Sequence, residues 1–324
     1  MPAPALSVHA FRADRGDAGE RLDRALRRHL AGHPCTRTQI QAWIAAGRAR
    51  IDGAATAKPA QRLALGQRIE IDLPTSPPRP AVEAEDRPLA VLFEDEHLLA
   101  LDKPPGLMVH PAGARRRGTL FNALLHYARD WGEGRRPSLV SRLDQDTSGL
   151  LLVAKCGAVH AGLARVLRRE RSAKDYLALV FGALPFAAGR IELRIGRDPA
   201  DPRRRIASKE EGLASTTLYE RLAEGEGLTL LRCRLRSGRT HQIRAHLTGV
   251  GTPIVGDPLY GEPRWKGLRD EAAAEACRFF PRQALHAWRL GFEHPVTGER
   301  MEIEAPVPED LAGLLARVGL ARPD

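Results

Sequence analysis

Three stretches of this sequence combine residue types and spacing that could carry chemistry. Residues 138–149 read S-L-V-S-R-L-D-Q-D-T-S-G and run into the apolar stretch Leu150 to Ala154. The pattern predicts a strand that breaks at a turn rich in Asp, Thr, Ser and Gly and re-enters the core as a buried strand. Asp144 lies at the break. In an extended chain residues two apart point the same way, so Arg142 and Asp144 face one side while Leu143 faces the core. Read alone, D-Q-D-T-S-G is more often a hydrogen-bonded turn than a carboxylate site. Residues 174–182, K-D-Y-L-A-L-V-F-G, alternate so that Tyr176, Ala178 and Val180 share a face. A tyrosine there is either a core residue with a satisfied hydroxyl or an aromatic face for a ligand. In the third stretch Leu231, Cys233 and Leu235 alternate with Arg232, Arg234 and Arg236. After the Ser237-Gly238 turn, residues 239–247, R-T-H-Q-I-R-A-H-L, start a helix with Ile243 and Leu247 as its buried pair. His241 and His246 lack the i, i+4 spacing and intervening Glu of a metal-binding helix, so no metal is indicated. Neither G-x-G-x-x-G nor a P-loop occurs, so no nucleotide cofactor is expected either.

These stretches belong to a body, from about Leu89 onward, that mixes short strands and helices without regular alternation, the pattern of an α+β fold. Residues 73–88, L-P-T-S-P-P-R-P-A-V-E-A-E-D-R-P, hold five prolines and no apolar periodicity and read as an extended linker. Ahead of it lies a small basic head. Through residue 75 it carries 12 Lys+Arg against 7 Asp+Glu, half of the chain's formal charge of +10 in under a quarter of its 324 residues. Leu22, Leu26 and Leu30 recur at helical spacing, with Arg21, Arg24, Arg27 and Arg28 on the other faces. A second helix opens with the capping box Thr36-Arg-Thr-Gln39, carries Ile40, Trp43 and Ile44 on one stripe and stops at Gly47. Residues 48–53, R-A-R-I-D-G, read as a strand entering an Asp-Gly turn, and Ile69, Ile71 and Leu73 alternate as a closing strand.

Composition narrows the function classes. With 50 Lys+Arg against 40 Asp+Glu, the chain favours a polyanionic partner. The cysteines at 35, 156, 233 and 277 form no C-x-x-C pair, so neither a disulfide frame nor a thiolate zinc site is signalled and a reducing compartment is expected. The first residues lack the basic and apolar regions of a leader, and no apolar run is long enough to span a membrane. A cytoplasmic protein follows.

Two resemblances sharpen this reading. In the head, the element order with R-T-Q-I-x-x-W-I-x-x-G-R and I-D-G resembles the S4 domain, a small α/β RNA-binding unit. Arg24, Arg28, Arg37 and Arg48 are then candidates to meet phosphates. In the body, S-R-L-D-x-D-T-S-G-L-L-L-V-A-K resembles the catalytic motif of the RluA family of pseudouridine synthases, commonly written H-R-L-D-x-x-T-S-G. K-D-Y-L-A, R-T-H-Q-I-R-A-H-L, residues 101–111, 118–126 and 256–261 (G-D-P-L-Y-G), and residues 282–287 extend the match over nearly the whole chain. Most of these further segments read as scaffold. The resemblance implies a pseudouridine synthase fold, a mixed, largely antiparallel central sheet flanked by helices and loops. It implies Asp144 as the catalytic aspartate, Tyr176 packed under the target base and Arg244 paired with the carboxylate, which such a partner keeps charged. The expected organisation is a tail (1–18), an S4-like domain (19–75), a linker (76–88) and a catalytic domain (89–324). Ser141 stands where the family commonly has His.

Such an enzyme detaches uracil from C1′ of a uridine, turns it and rejoins it through C5, with no metal, redox partner or cofactor. Flipping the base out leaves a gap that Arg142 can fill, or Arg142 can clamp a phosphate, with Arg239 another RNA contact. The S4-like head with the V-H-P-x-G loop at residues 109–113 points to large-subunit ribosomal RNA, with tRNA a second possibility; a monomer is expected. Two rivals share these residues: a catalytically silent RNA-binding or ribosome-assembly factor, and another carboxylate enzyme, such as a nucleoside or glycoside hydrolase, which would release free uracil or sugar.

Overall fold

The structure is a computed structural model and describes residues 6–30, 33, 35–74, 82–113, 115–169, 171–261 and 263–323. The chain divides into two compact units, Met1–Ala81 and Val82–Asp324.

The first unit contains β1 (Leu6–Arg12), α1 (Leu22–His29), α2 (Arg37–Ala45), β2 (Ala49–Ile51), β3 (Ala54–Thr56) and β4 (Arg68–Pro74). The strands pair antiparallel in the order β1-β4-β2-β3. Helices of eight and nine residues do not persist alone in water. Here Leu22, Leu26, Leu30, Ile40 and Ile44 are buried with Ile69 and Ile71 of the sheet in one apolar cluster, and Thr36 and Gln39 close the expected capping box. Residues 6–12 correct the expected tail: they form β1, whose partner β4 lies more than fifty residues away. The segment is mixed in composition, with Val8 exposed, so only the long-range pairing reveals it.

The second unit contains β5 (Ala90–Glu94), β6 (Leu98–Lys103), α3 (Leu120–Tyr127), β7 (Ser138–Leu139), β8 (Ser148–Ala154), α4 (Gly157–Val166), β9 (Ala173–Phe181), β10 (Ala188–Arg197), β11 (Arg205–Ser208), β12 (Leu213–Gly225), β13 (Leu228–Leu235), α5 (Gln242–Gly249), α6 (Glu271–Phe279), β14 (Leu285–Glu293), β15 (Arg300–Glu304) and α7 (Glu309–Arg317). Its sheet runs β11-β10-β12-β13-β9-β14-β8-β6-β5, with β15 beside β14 and β7 beside β8. β14 and β8 pair parallel and the other pairs antiparallel, which makes the mixed, largely antiparallel sheet of an α+β fold. The expected linker is also shorter. The carbonyl of Glu83 accepts from Asn122 Nδ2 at 2.7 Å and the carboxylate of Glu85 accepts from the Gly118 amide at 3.0 Å, so residues 82–88 belong to the larger unit; 75–81 lie outside the described residues.

Alternation along β9 and β13 gives the sheet two different faces. Cys233 packs in one core cluster with Ile243 and Leu247 of α5, and Tyr176 opposite Cys233 packs against the same cluster. Asp175 and Arg234 form a bidentate ion pair on the other face, at 2.6 and 2.7 Å. Two depressions of about 500 and 630 Å³, lined by Arg190, Arg232, Arg234 and Arg236 among others, open on that second face. No helix among the described residues is long and apolar enough to cross a membrane.

Candidate active site

The segment between β7 and β8 bends back on itself where the Thr147 amide donates to the Asp144 carbonyl at 3.2 Å. Three buried groups fix this bend. Lys103 Nζ donates to the carbonyls of Pro104, Leu107 and Gln145 at 2.8, 3.0 and 2.7 Å, and burial pushes its pKa down to about 8. Arg282 reaches the Asp146 carbonyl at 3.2 Å while its other edge is bidentate to Asp310 at 2.6 and 2.8 Å. Gln283 donates to Thr147 Oγ1 at 3.1 Å. Gly149 then enters β8 with φ of 105°, and a Cβ there would meet the Ala287 carbonyl oxygen at 2.2 Å, so only glycine permits the parallel register with β14. The result places Leu143 in the core, Arg142 in solvent and Asp144 at the surface of the fold with its side chain 24% exposed.

α5 delivers the opposing group. Gln242 holds the preceding turn: its Oε1 accepts from the Arg239 amide and from Ser237 Oγ at 3.0 Å each, and its Nε2 donates to the Thr216 carbonyl and Thr217 Oγ1 at 3.1 Å each. Arg244 enters the interior, with its side chain 4% exposed. One edge of the guanidinium, Nε and Nη2, is bidentate to Asp257 at 2.7 and 2.8 Å, and the remaining Nη1 donates to Asp144 Oδ2 at 2.8 Å. A bidentate pair fixes a guanidinium in plane as well as in place. Asp257 is itself held, its Oδ1 accepting the amides of Leu259 and Tyr260 at 2.9 and 3.1 Å. The Tyr260 ring lies 5.0 Å from the guanidinium. A buried cation thus sits between two carboxylates, one sealed and one open, which keeps Arg244 charged despite burial and leaves excess negative charge at the exposed end.

Tyr176 is the third member. Burial first, and then the negative charge of Asp144, push its hydroxyl above the ordinary tyrosine value. The ring stays neutral, a flat apolar surface beside an anion. The structure therefore brings Asp144, Tyr176 and Arg244 together. Arg142 and Arg239 lie exposed near them in sequence, with no ion pair among the described residues. In the first unit Arg28 pairs with Asp17 and Asp14, Arg37 with Asp23 and Arg24 with Glu20, whereas Arg48 makes no ion pair among the described residues. Asp14, Asp17 and His29 come close enough to hold a cation, but the guanidinium of Arg28 already sits on both carboxylates.

Sequence reasoning assigned G-D-P-L-Y-G to the scaffold and treated His241 only as a non-metal histidine. Asp257 and Tyr260 contact Arg244, and His241 Nε2 lies 3.7 Å from Asp144 Oδ2. The sequence holds one signal, an acid in a glycine-bracketed loop; the structure gives the reason for the first glycine, since a Cβ at Gly256 would meet the Arg282 carbonyl oxygen at 2.2 Å.

The sequence matches the RNA pseudouridylate synthase family over residues 97–248. It is 41% identical over 302 residues, 93% of this chain and 85% of the other, to a protein of Nitrosomonas europaea named ribosomal large subunit pseudouridine synthase D. It is 40% identical over 301 residues, 92% of this chain and 89% of the other, to the protein of the same name in Xanthomonas campestris. The solved structure of human RNA pseudouridylate synthase domain containing 1 superposes with a TM-score of 0.55 at 26% identity, covering 72% of this chain and 89% of that one. Similarity of this extent, running through the strand-end aspartate, the tyrosine strand and the arginine helix alike, makes the chain a member of the RluA family of RNA pseudouridine synthases, isomerases whose substrate is RNA.

Proposed function

We propose that this enzyme converts specific uridines of large-subunit ribosomal RNA to pseudouridine, with Asp144 as the catalytic carboxylate, Arg244 as its fixed counter-charge and Tyr176 as the platform under the extruded uracil. The relatives from Nitrosomonas europaea and Xanthomonas campestris carry large-subunit ribosomal RNA in their names. The reaction breaks the bond from N1 to C1′, turns the uracil and forms the bond from C5 to C1′; C5 loses a proton, N1 gains one, and no atom is lost overall. Positive character develops at C1′ as the base leaves, and an anion fixed beside it stabilises that state without having to reorganise. The bonds of Arg244 carry the proposal: two to Asp257 fix the guanidinium in plane, and in that plane Nη1 donates to Asp144 Oδ2 at 2.8 Å.

The first unit serves as an S4-like RNA-binding domain, with Arg24, Arg28, Arg37 and Arg48 as its phosphate contacts, and Arg142 and Arg239 extend the RNA path beside the site. Arg142, exposed two residues from Asp144, is the residue to fill the stack the uridine vacates. The enzyme acts as a cytoplasmic monomer; its four unpaired cysteines suit a reducing compartment. The test is site-resolved mapping of pseudouridine in ribosomal RNA and tRNA from cells lacking the protein, rescued with wild type or Asp144→Asn. Loss of specific large-subunit sites, restored only by wild type, is expected. Equal modification in every strain would leave an RNA-binding role, loss in tRNA alone would move the substrate, and free uracil released from labelled RNA would mean hydrolysis.

A further inference from the structure

His241 precedes α5 in the left-handed region, φ 54° and ψ 22°, a conformation few non-glycine residues adopt. Held there, the imidazole spans from one loop to the other. Nδ1 lies 3.1 Å from Tyr260 Oη, and Nε2 faces Asp144 Oδ2 at 3.7 Å. Which nitrogen carries the proton follows from counting donors and acceptors. Tyr260 is buried, and its Oη accepts the backbone amide of Arg205 at 2.7 Å. Burial raises the pKa of the phenol, so it keeps its single proton. Among the described residues the acceptor within hydrogen-bond distance of that proton is His241 Nδ1. The hydroxyl therefore donates to Nδ1, and the neutral ring carries its own hydrogen on Nε2. The opposite tautomer would leave a buried donor unpaired. Burial also holds the imidazole below its ordinary value, with Arg244 and Arg205 acting in the same direction and Asp144 and Asp257 against it, which keeps the ring neutral.

We propose that His241 is a positioning residue for Asp144: the Arg205 amide, the Tyr260 hydroxyl and the His241 ring form a chain that ends in an N–H aimed at Oδ2, the oxygen Arg244 already holds. Both donors converge on one carboxylate oxygen. Oδ1 is then the oxygen presented to the uridine, and the carboxylate cannot rotate to exchange the two. At 3.7 Å the last link is longer than a hydrogen bond. It closes when RNA fills the site, as active-site contacts commonly tighten around substrate. This inference rests on the reading of Asp144 as the catalytic carboxylate.

The test has a spectroscopic and a kinetic arm on the full chain. Nitrogen NMR of the histidine-labelled enzyme is expected to show His241 as the Nε2–H tautomer, and Tyr260→Phe is expected to convert it to a mixture. An Nδ1–H tautomer or a charged ring in the wild type at neutral pH would overturn the proposal without any turnover being measured. For kinetics, Asn tolerates the left-handed backbone, and its amide can still accept from Tyr260 but stops short of Asp144. His241→Asn is therefore expected to lose about 10- to 100-fold in kcat with KM and thermal midpoint unchanged. His241→Gln, whose amide reaches further, should recover most of that loss. Tyr260→Phe combined with His241→Asn should be no slower than His241→Asn alone. Multiplying losses, a failure of Gln to rescue, or a loss confined to KM would each refute the chain. Full activity of Asp144→Asn would instead remove the catalytic reading on which it rests, while leaving the tautomer result intact.

Discussion

In the first unit the carboxylates of Asp17 and Asp23 are fully buried, while the arginines that pair with them, Arg28, Arg21 and Arg37, keep 37% to 50% of their side chains exposed. In the second unit the order is reversed: Arg244 is 4% and Asp257 0% exposed, and Asp144 is the partner left at the surface. In each case a buried ion must be compensated, because an isolated charge inside a protein is too costly to keep. The sealed ion is the anchor, and its exposed partner is oriented and available. A surface of oriented guanidiniums suits phosphate; an oriented carboxylate suits a centre that becomes positive. The same pairing thus serves two ends, depending on which member is buried.

The sharpest way to break this comparison is to remove one anchor. Arg244→Met leaves Asp257 buried without its partner and is expected to cost about 3 to 5 kcal/mol of stability as well as all measurable turnover. Asp144→Asn should lower turnover by more than about 10³-fold with under about 1 kcal/mol of stability lost, because its side chain is partly solvated. Arg244→Lys should not rescue, since an ammonium cannot span two carboxylates in one plane. Urea midpoints and single-turnover rates on the same preparations decide the matter. Equal destabilisation at 144 and 244 would mean that Asp144 belongs to the anchor.

How much of this was legible beforehand depends on sequence distance. The strand-end turn at 138–149, the alternation of β9 and β13 and the start of α5 are local patterns, and each formed where its spacing requires. The capping box of α2 is equally local. Asp144 and Arg244 are 100 residues apart, and only a motif resemblance joined them. The support from Asp257, Tyr260, Lys103 and Arg282 was hardly legible, because each makes its decisive contact through one side chain with a segment distant in sequence, and only the glycine bracket around Asp257 marked any of them. The head shows the opposite failure. Its arginines read alike as candidates to meet phosphates, whereas Arg28 and Arg37 are tied to acids that local pattern gives no reason to pair with them. β1 was missed because a strand of mixed composition declares itself only through its partner.

A second prediction tests the anchor of the first unit. Burial alone would raise the pKa of Asp23, but Arg21, Gln41 and Arg37 hold it well below the ordinary carboxylate range. A carboxyl depressed in the folded state adds stability that is complete above its unfolded value, near 4, and is lost as pH falls through the folded one. Protection of the α1 and α2 amides against hydrogen exchange should therefore weaken as the pH drops below about 4. Asp23→Asn should lower that protection at neutral pH by about 3 kcal/mol and reduce its dependence on acid, leaving the part that belongs to Asp17, also held below its ordinary value. Unchanged protection would mean that the arginines lie against Asp23 without contributing to the fold.

The smallest expected effects separate the arginines of the first unit from one another. Each phosphate neutralised on single-stranded RNA contributes about 0.7 to the slope of log affinity against log salt, and slightly more on a duplex. Arg48, half-buried, makes no ion pair among the described residues, so no acid there competes with phosphate for its charge, and Arg48→Gln should reduce the slope by nearly one such unit. Among the described residues Arg24 pairs with a partly exposed glutamate at 3.4 Å, a contact that water and salt screen, so it should behave much like Arg48. Arg37 donates to buried Asp23 at 3.0 Å and meets phosphate with its remaining donors, so Arg37→Gln should change the slope less while lowering the stability of the unit. Titrations of the full chain with ribosomal RNA fragments at several salt concentrations read all three. If Arg37→Gln flattens the slope as much as Arg48→Gln does, a guanidinium bound to a buried carboxylate is as free to bind RNA as a solvated one, and the contrast between sealed anchors and presented partners fails for this surface.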